Sequence, residues 1–323
     1  MFPPEHYRLS ARSVGQCVPL SARGRVHSVF PRACNIELQS GELVTALTVD
    51  LGDLPAGIRC APTGDSFREW LCQEQVALID RGILEVPQAR FCVDFSRAPV
   101  WRCPAVRIDT RDASTVRALS ELRATLRRAG PAGGFSALLL TTDGARSSLE
   151  RSIRERLQLA LPFLATAVRR RSVDEVSAAL SQLIGLGVGL TPSGDDFTVG
   201  CLAALHSRSW ACPGIGALLG ALAAPLGQLA LGTNAISRQQ LHDAAHGRFA
   251  RRLVSVLQAL ALGEGTAWHA QQALRSGFSS GADTLCGLLF GLSAFSATTV
   301  SRPPNRPRIP LAADLAQAAM PIR

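Results

Sequence analysis

The chain has 323 residues, 47% hydrophobic and 18% charged, enough to bury a sizeable core in roughly two domains. Its formal charge of +9 rests on arginine alone, because no lysine occurs; this excludes a lysine Schiff base, a phosphate-loop lysine and a lysine–tyrosine dyad. Any anion must be held by arginine, by backbone N–H groups or by a metal.

A basic chain invites a nucleic-acid reading, but the arginines are scattered and aromatics are only 5%, too few to interleave as stacking platforms, so no nucleic-acid binding is expected. The charge suits small anionic substrates or an acidic partner subunit. Nine cysteines without a CxxC pair read as reduced thiols of a cytoplasmic protein. The opening MFPPEHYRLSARS has no basic region followed by an apolar run, so no secretory signal is expected.

Residues 1–23 read as an N-terminal extension. From 24 to 104 the chain carries short alternating runs, RVHSVF, CNIEL, ELVTALTVDL and ARFCVDF, punctuated by SG, GD, LP and PTG, which predict strands. SFREWLCQEQVALID, about 66 to 80, reads as a short helix within them. STVRALSELRATLRR continues as a helix, and SALLLTT after the GPAGG break reads as one more strand, so 24–147 is taken as a mainly β unit with short helices.

Beyond 148 the texture is helical, with helices expected at about 149–171, 173–185, 196–209, 214–231, 236–262, 266–276 and 283–296. The class is α+β: a mainly β N-terminal unit, then an α-helical domain over 148–298 with glycine-rich helix-start turns. Residues 299–323 form a Pro/Arg-rich tail. PGIGALLGALAAPLGQLALG, 213 to 232, is nearly long enough to span a bilayer, but Pro225 and its small residues favour a buried helix, and no membrane is expected.

Two stretches echo each other: TPSGDDFTVGCLAAL at 191–205 and FSSGADTLCGLLFGL at 278–292. Ser193, Gly194, Asp196, Gly200, Leu202 and Leu205 match Ser280, Gly281, Asp283, Gly287, Leu289 and Leu292 at one constant offset. Ser-Gly-x-Asp before an apolar run starts a helix, since serine caps and an acid complements the positive end of the helix dipole. One aspartate is explained in this way. Asp195 and Asp196 together are not, because adjacent residues point in different directions on a helix.

Glycine inside a helix costs on the order of 1 kcal/mol, which close helix approach can offset. Gly200 and Ala204 on one echo, and Gly287 and Gly291 on the other, therefore predict two tightly packed helices with both acidic turns at one end. Such a site would offer free helix N–H groups to an anion, and Asp195 and Asp196 could hold Mg²⁺. Thr191, Ser193, Gly194, Ser280 and Gly281 would line it; Asp195, Asp196 and Asp283 would supply the chemistry.

Between the echoes, GTNAISRQQLHDAAHGRF puts Thr233, Asn234 and Ser237 at a helix start that could face the same pocket. His242 and His246 have the i, i+4 spacing of a metal pair, but two histidines on a solvated face are commoner. Asn35 in CNIEL could lend an amide from the β unit, or serve a strand-end turn. No nucleophile-elbow pattern occurs, and GLGVGL follows a helix rather than a strand, which argues against dinucleotide binding.

GLGVGLTPSGDDFTVGCLAAL, TNAISRQQLHDAAHGRF and SSGADTLCGLLFGL resemble three stretches of the AllH-type subunit family of oxamate carbamoyltransferase, and GRVHSVFPRACNIEL resembles its opening. The likeness spans about 24–295. It departs at Val188, where proline is commonest in the family. The resemblance implies other carbamoyltransferase complex subunits as partners and a small anionic substrate. The implied reaction interconverts carbamoyl-oxamate plus phosphate with oxamate plus carbamoyl phosphate in allantoin and purine-nitrogen breakdown. A non-catalytic assembly subunit, or a Mg-dependent enzyme acting on another small anion, is the alternative.

Overall fold

The structure, a computed structural model, describes residues 7–60, 66–129, 133–140 and 147–294. The described residues divide into two compact units. The first runs to Pro104 and takes in Arg248–Val254; the second comprises Ala105–Gly247 and the chain from Ser255 onward.

The first unit is a β-barrel. Its elements are β1 (Tyr7–Gly15), β2 (Ser21–Val29), β3 (Ala33–Leu38), β4 (Leu43–Thr48), β5 (Gly57–Cys60), α1 (Phe67–Trp70), β6 (Val76–Asp80), β7 (Ile83–Val86), β8 (Phe91–Asp94) and β9 (Val100–Trp101). The strand order is β5-β4-β3-β2-β6-β7-β8-β1-β9, and β5 also pairs with β1. Closure is the work of β1: Tyr7–Ser10 runs parallel to β8, and Ala11–Val14 runs antiparallel to β5 with a register shift between Ala11 and Ser13. A closed sheet leaves few edges to aggregate. Alternate residues such as Val26, Ile36, Val44, Ile58, Leu84 and Val93 fill the interior.

The segment before residue 24, expected as an extension, thus supplies the closing strand and the start of β2. The helix expected at 66–80 shrinks to the single turn α1, capped by Ser66. Leu71 leaves it in extended conformation, and VALID, with its alternating burial, becomes β6. Period two wins there over helix propensity because Ala77 and Ile79 have a barrel interior to fill.

The second unit is helical: α2 (Ala113–Ala129), α3 (Gly134–Leu140), α4 (Ser148–Arg170), α5 (Val173–Ser181), α6 (Ser193–Arg208), α7 (Pro213–Leu229), α8 (Ala235–Ala245), then α9 (Arg251–Leu262), which starts in the 248–254 segment, α10 (Thr266–Leu274) and α11 (Ser280–Ala294). SALLLTT is not a strand: its described part lies in α3. The cause is tertiary, since the Asp283 carboxylate accepts the Ser136 N–H at 2.7 Å and caps a helix start that the local sequence does not announce. The single helix expected at 236–262 breaks between α8 and α9, where Gly247 takes φ +71° with no room for a side chain beside the His206 ring. The expected tail at 299–323 lies outside the described residues.

Among the described residues one helix, Pro213–Gly232, is long and apolar enough to cross a membrane by length and composition. It was expected to be buried, but only one face is: Ile215, Leu218, Leu219, Leu222 and Leu226 point inward, while Gly216, Ala217, Gly220 and Ala221 are exposed.

Candidate functional site

The echo helices α6 and α11 pack against each other, and glycine makes the contact possible. A Cβ on Gly200 would run into the Thr284 carbonyl, one on Gly287 into the Phe197 carbonyl, and one on Gly291 into the Ala204 side chain. These contacts advance together along both helices, so the pair is parallel and both N-termini lie at one end. They are also reciprocal: Gly200 meets the counterpart of Phe197, and Gly287 meets Phe197 itself. A local two-fold axis therefore runs along the pair.

The hairpins repeat too. Gly194 presses on the Leu183 carbonyl just past the end of α5, and Gly281 on the Ala273 carbonyl near the end of α10. Gly187, at φ +124°, brings the GLGVGL loop down onto the Ser193 N–H with no space for a side chain.

Four helix starts, those of α3, α6, α8 and α11, meet around three aspartates. Asp195 is 1% exposed and fully engaged: Oδ1 accepts the Gly185 N–H at 2.7 Å and Oδ2 the Thr233 hydroxyl at 2.6 Å. It pins the glycine loop and the entry to α8.

Asp196 is 2% exposed, and its Oδ2 has no hydrogen-bond partner. Burial pushes its carboxyl up to about 7; the Ser280 and Thr191 hydroxyls act against that rise, and the Asp283 and Asp195 charges add to it. Asp283 is wholly buried, with Oδ1 on the Ser136 N–H and Oδ2 unpartnered. Burial raises it as well, opposed first by the Ser136 N–H and then by the Ser193 hydroxyl. Thus the serine of each echo serves the aspartate of the other. Phe197, next to Asp196 in the chain, packs with Phe135 at 5.9 Å and Phe290 at 5.5 Å between ring centroids, an apolar cluster in the first turn of α6.

The N–H groups expected to be free for an anion are largely consumed. Gly194 N–H donates to Leu186 O, Asp195 and Asp196 N–H to Pro192 O, Gly281 N–H to Ser276 O and Asp283 N–H to Ser279 O. A tight helix start satisfies its own donors. The first turn of α8 instead offers Ser237 Oγ and Arg238 Nε, both buried atoms without a partner. Asn234, expected in the pocket, caps α8 by accepting from the Ile236 and Ser237 N–H groups.

Asn35 sits in the barrel and spends its amide there, donating to Ser28 Oγ at 3.0 Å and accepting from Thr45 Oγ1 at 2.7 Å. His246 Nδ1 bonds the His242 carbonyl at 2.8 Å, which ties this ring to the end of α8. Among the described residues no group of three or more His, Cys, Asp or Glu is arranged to hold a metal. Sequence reasoning missed Gly134 and Ser136; the only signal was a glycine pair ahead of an apolar run.

A family model described as oxamate carbamoyltransferase subunit AllH matches residues 183–292, which contain both acid turns, and one described as the AllH family N-terminal domain matches residues 8–100. No solved structure matches the chain.

Proposed function

Since the chain belongs to the AllH family of oxamate carbamoyltransferase subunits, we propose that its acid cluster handles the proton of carbamoyl transfer. The substrates are carbamoyl-oxamate and phosphate, and the setting is purine-nitrogen breakdown in the cytoplasm, consistent with nine cysteines that form no disulfide. In that reaction the carbamoyl C–N bond breaks, a C–O bond to phosphate forms, and the proton of hydrogenphosphate must reach the departing nitrogen. Asp196 accepts it from one and returns it to the other.

The observation that carries this reading is the Asp196 carboxyl, buried, with a bare Oδ2 and a proton affinity matched to neutral pH. A general acid–base group works best when its pKa lies near the working pH. Arg238 and Ser237 are the side chains to hold the anionic end of a substrate, and other subunits of the complex complete the enzyme.

Asp196→Asn tests the assignment in the assembled complex. The expected result is a loss of transfer of about 10²-fold or more, with an unchanged or higher melting temperature, because a buried ionisable group is replaced by a neutral one of the same shape. The near-complete burial of all three aspartates favours a second reading, an assembly subunit whose acids only order helix starts. Full activity of Asp196→Asn with an intact complex would select it.

A further inference from the structure

We propose that Asp196 and Asp283 form a dyad that holds one proton between them, so that each carboxyl is acid or base according to which carries it. This rests on the reading of Asp196 as the proton carrier, and it adds Asp283 as a residue of the same machinery.

The geometry is that of a symmetric pair. The two aspartates occupy equivalent positions on parallel helices whose glycine contacts are reciprocal about a local two-fold axis. Each is served by the serine of the opposite turn, Ser280 for Asp196 and Ser193 for Asp283. Each keeps one oxygen, Oδ2, buried and without a partner. A buried unsatisfied oxygen is costly, and two of them on acids whose charges act on one another share a remedy: one proton, which turns one acid into a donor and spares the pair a second buried charge.

No cation competes for this role by ion pairing: none of the three aspartates forms a salt bridge among the described residues. The titratable and charged neighbours are few. On α6 itself there are Asp195 and Cys201, with His206 and Arg208 in its last turn. Of the elements packed against α6, α3 and α7 carry no titratable side chain, α8 carries Arg238, His242 and Asp243, and α11 carries Asp283 and Cys286. Against α11 lie α10, with His269, and α2, with Arg117, Glu121, Arg123, Arg127 and Arg128; Arg123 bonds Ser293 at the far end of α11.

The distinguishing property of a dyad is mutual dependence. The experiment is infrared titration of the protonated carboxyl band in the whole chain, compared with Asp196→Asn, Asp283→Asn and the double variant. The expected result is one protonated carboxyl persisting toward neutral pH in the wild type. Each single substitution moves the midpoint of the remaining acid down by about one pH unit, because the like charge beside it is gone. The double variant loses the band. Asparagine keeps the shape and the Ser136 N–H acceptor, and circular dichroism confirms folding. A midpoint of Asp196 unmoved by Asp283→Asn overturns the dyad, as does a band that survives in the double variant. Failure of the transferase reading shows elsewhere, in full transfer activity of Asp196→Asn, so the two can be separated.

Discussion

Asp195 and Asp196 are adjacent in the chain and opposite in use. Asp195 has both oxygens bonded, so Asp195→Ala strands the Gly185 N–H and the Thr233 hydroxyl and should cost about 1–3 kcal/mol in chemical denaturation. For Asp196 the folded value of about 7 lies above the roughly 3.9 of an unfolded aspartate. The folded chain therefore binds the extra proton between those values; the stability this gives is full below the unfolded value and is lost as pH rises through about 7. In calorimetry across that window Asp196→Asn should flatten the decline of melting temperature with pH; a constant offset from wild type would contradict the assignment. The aspartate pair was legible in the sequence because one helix start cannot use two adjacent carboxylates alike. Asn35 was not, because its partners Ser28 and Thr45 are neighbours only through strand register.

At the scale of elements, the same amino acid has opposite worth on two helices. Gly200 and Gly287 sit where a methyl group would strike a backbone carbonyl, so either change to alanine should destabilise by about 1–3 kcal/mol or more as overpacking. Gly220 on the open face of α7 has nothing near it, and Gly220→Ala should stabilise by up to about 1 kcal/mol. Thermal melts of the three variants decide both signs. The close pairing of α6 with α11 was readable from small residues recurring on one face, and the strands of the barrel from alternation. Helix α3 and the break after α8 were not, since one depends on a carboxylate supplied by α11 and the other on the His206 ring against Gly247.

Across the whole molecule, the chain leaves its barrel at Pro104 and returns to it for Arg248–Val254. Asp53, 5% exposed, receives that return: its carbonyl takes the Arg251 N–H at 2.9 Å, and its carboxylate faces Ser13, Arg59 and Arg251. A fragment of residues 1–104 keeps Ser13 and Arg59 but lacks Arg251, and should unfold at lower denaturant than the same unit in the intact chain, by fluorescence of its tryptophans. This return was invisible in the sequence, because a contact so distant along the chain leaves no periodic mark.

The parallel partnership of α6 and α11 also bears on synthesis. A ribosome delivers α11 after α6, so until then the groove at Gly200 lacks its partner helix and Asp196 lacks its counterpart. Chains cut short before Ser280 would carry the first acid turn on an unclosed helix, where a carboxyl in water reverts to its ordinary strength. Under the proposed reading, synthesis of α11 is the step that supplies the second acid and makes the first fit for proton transfer.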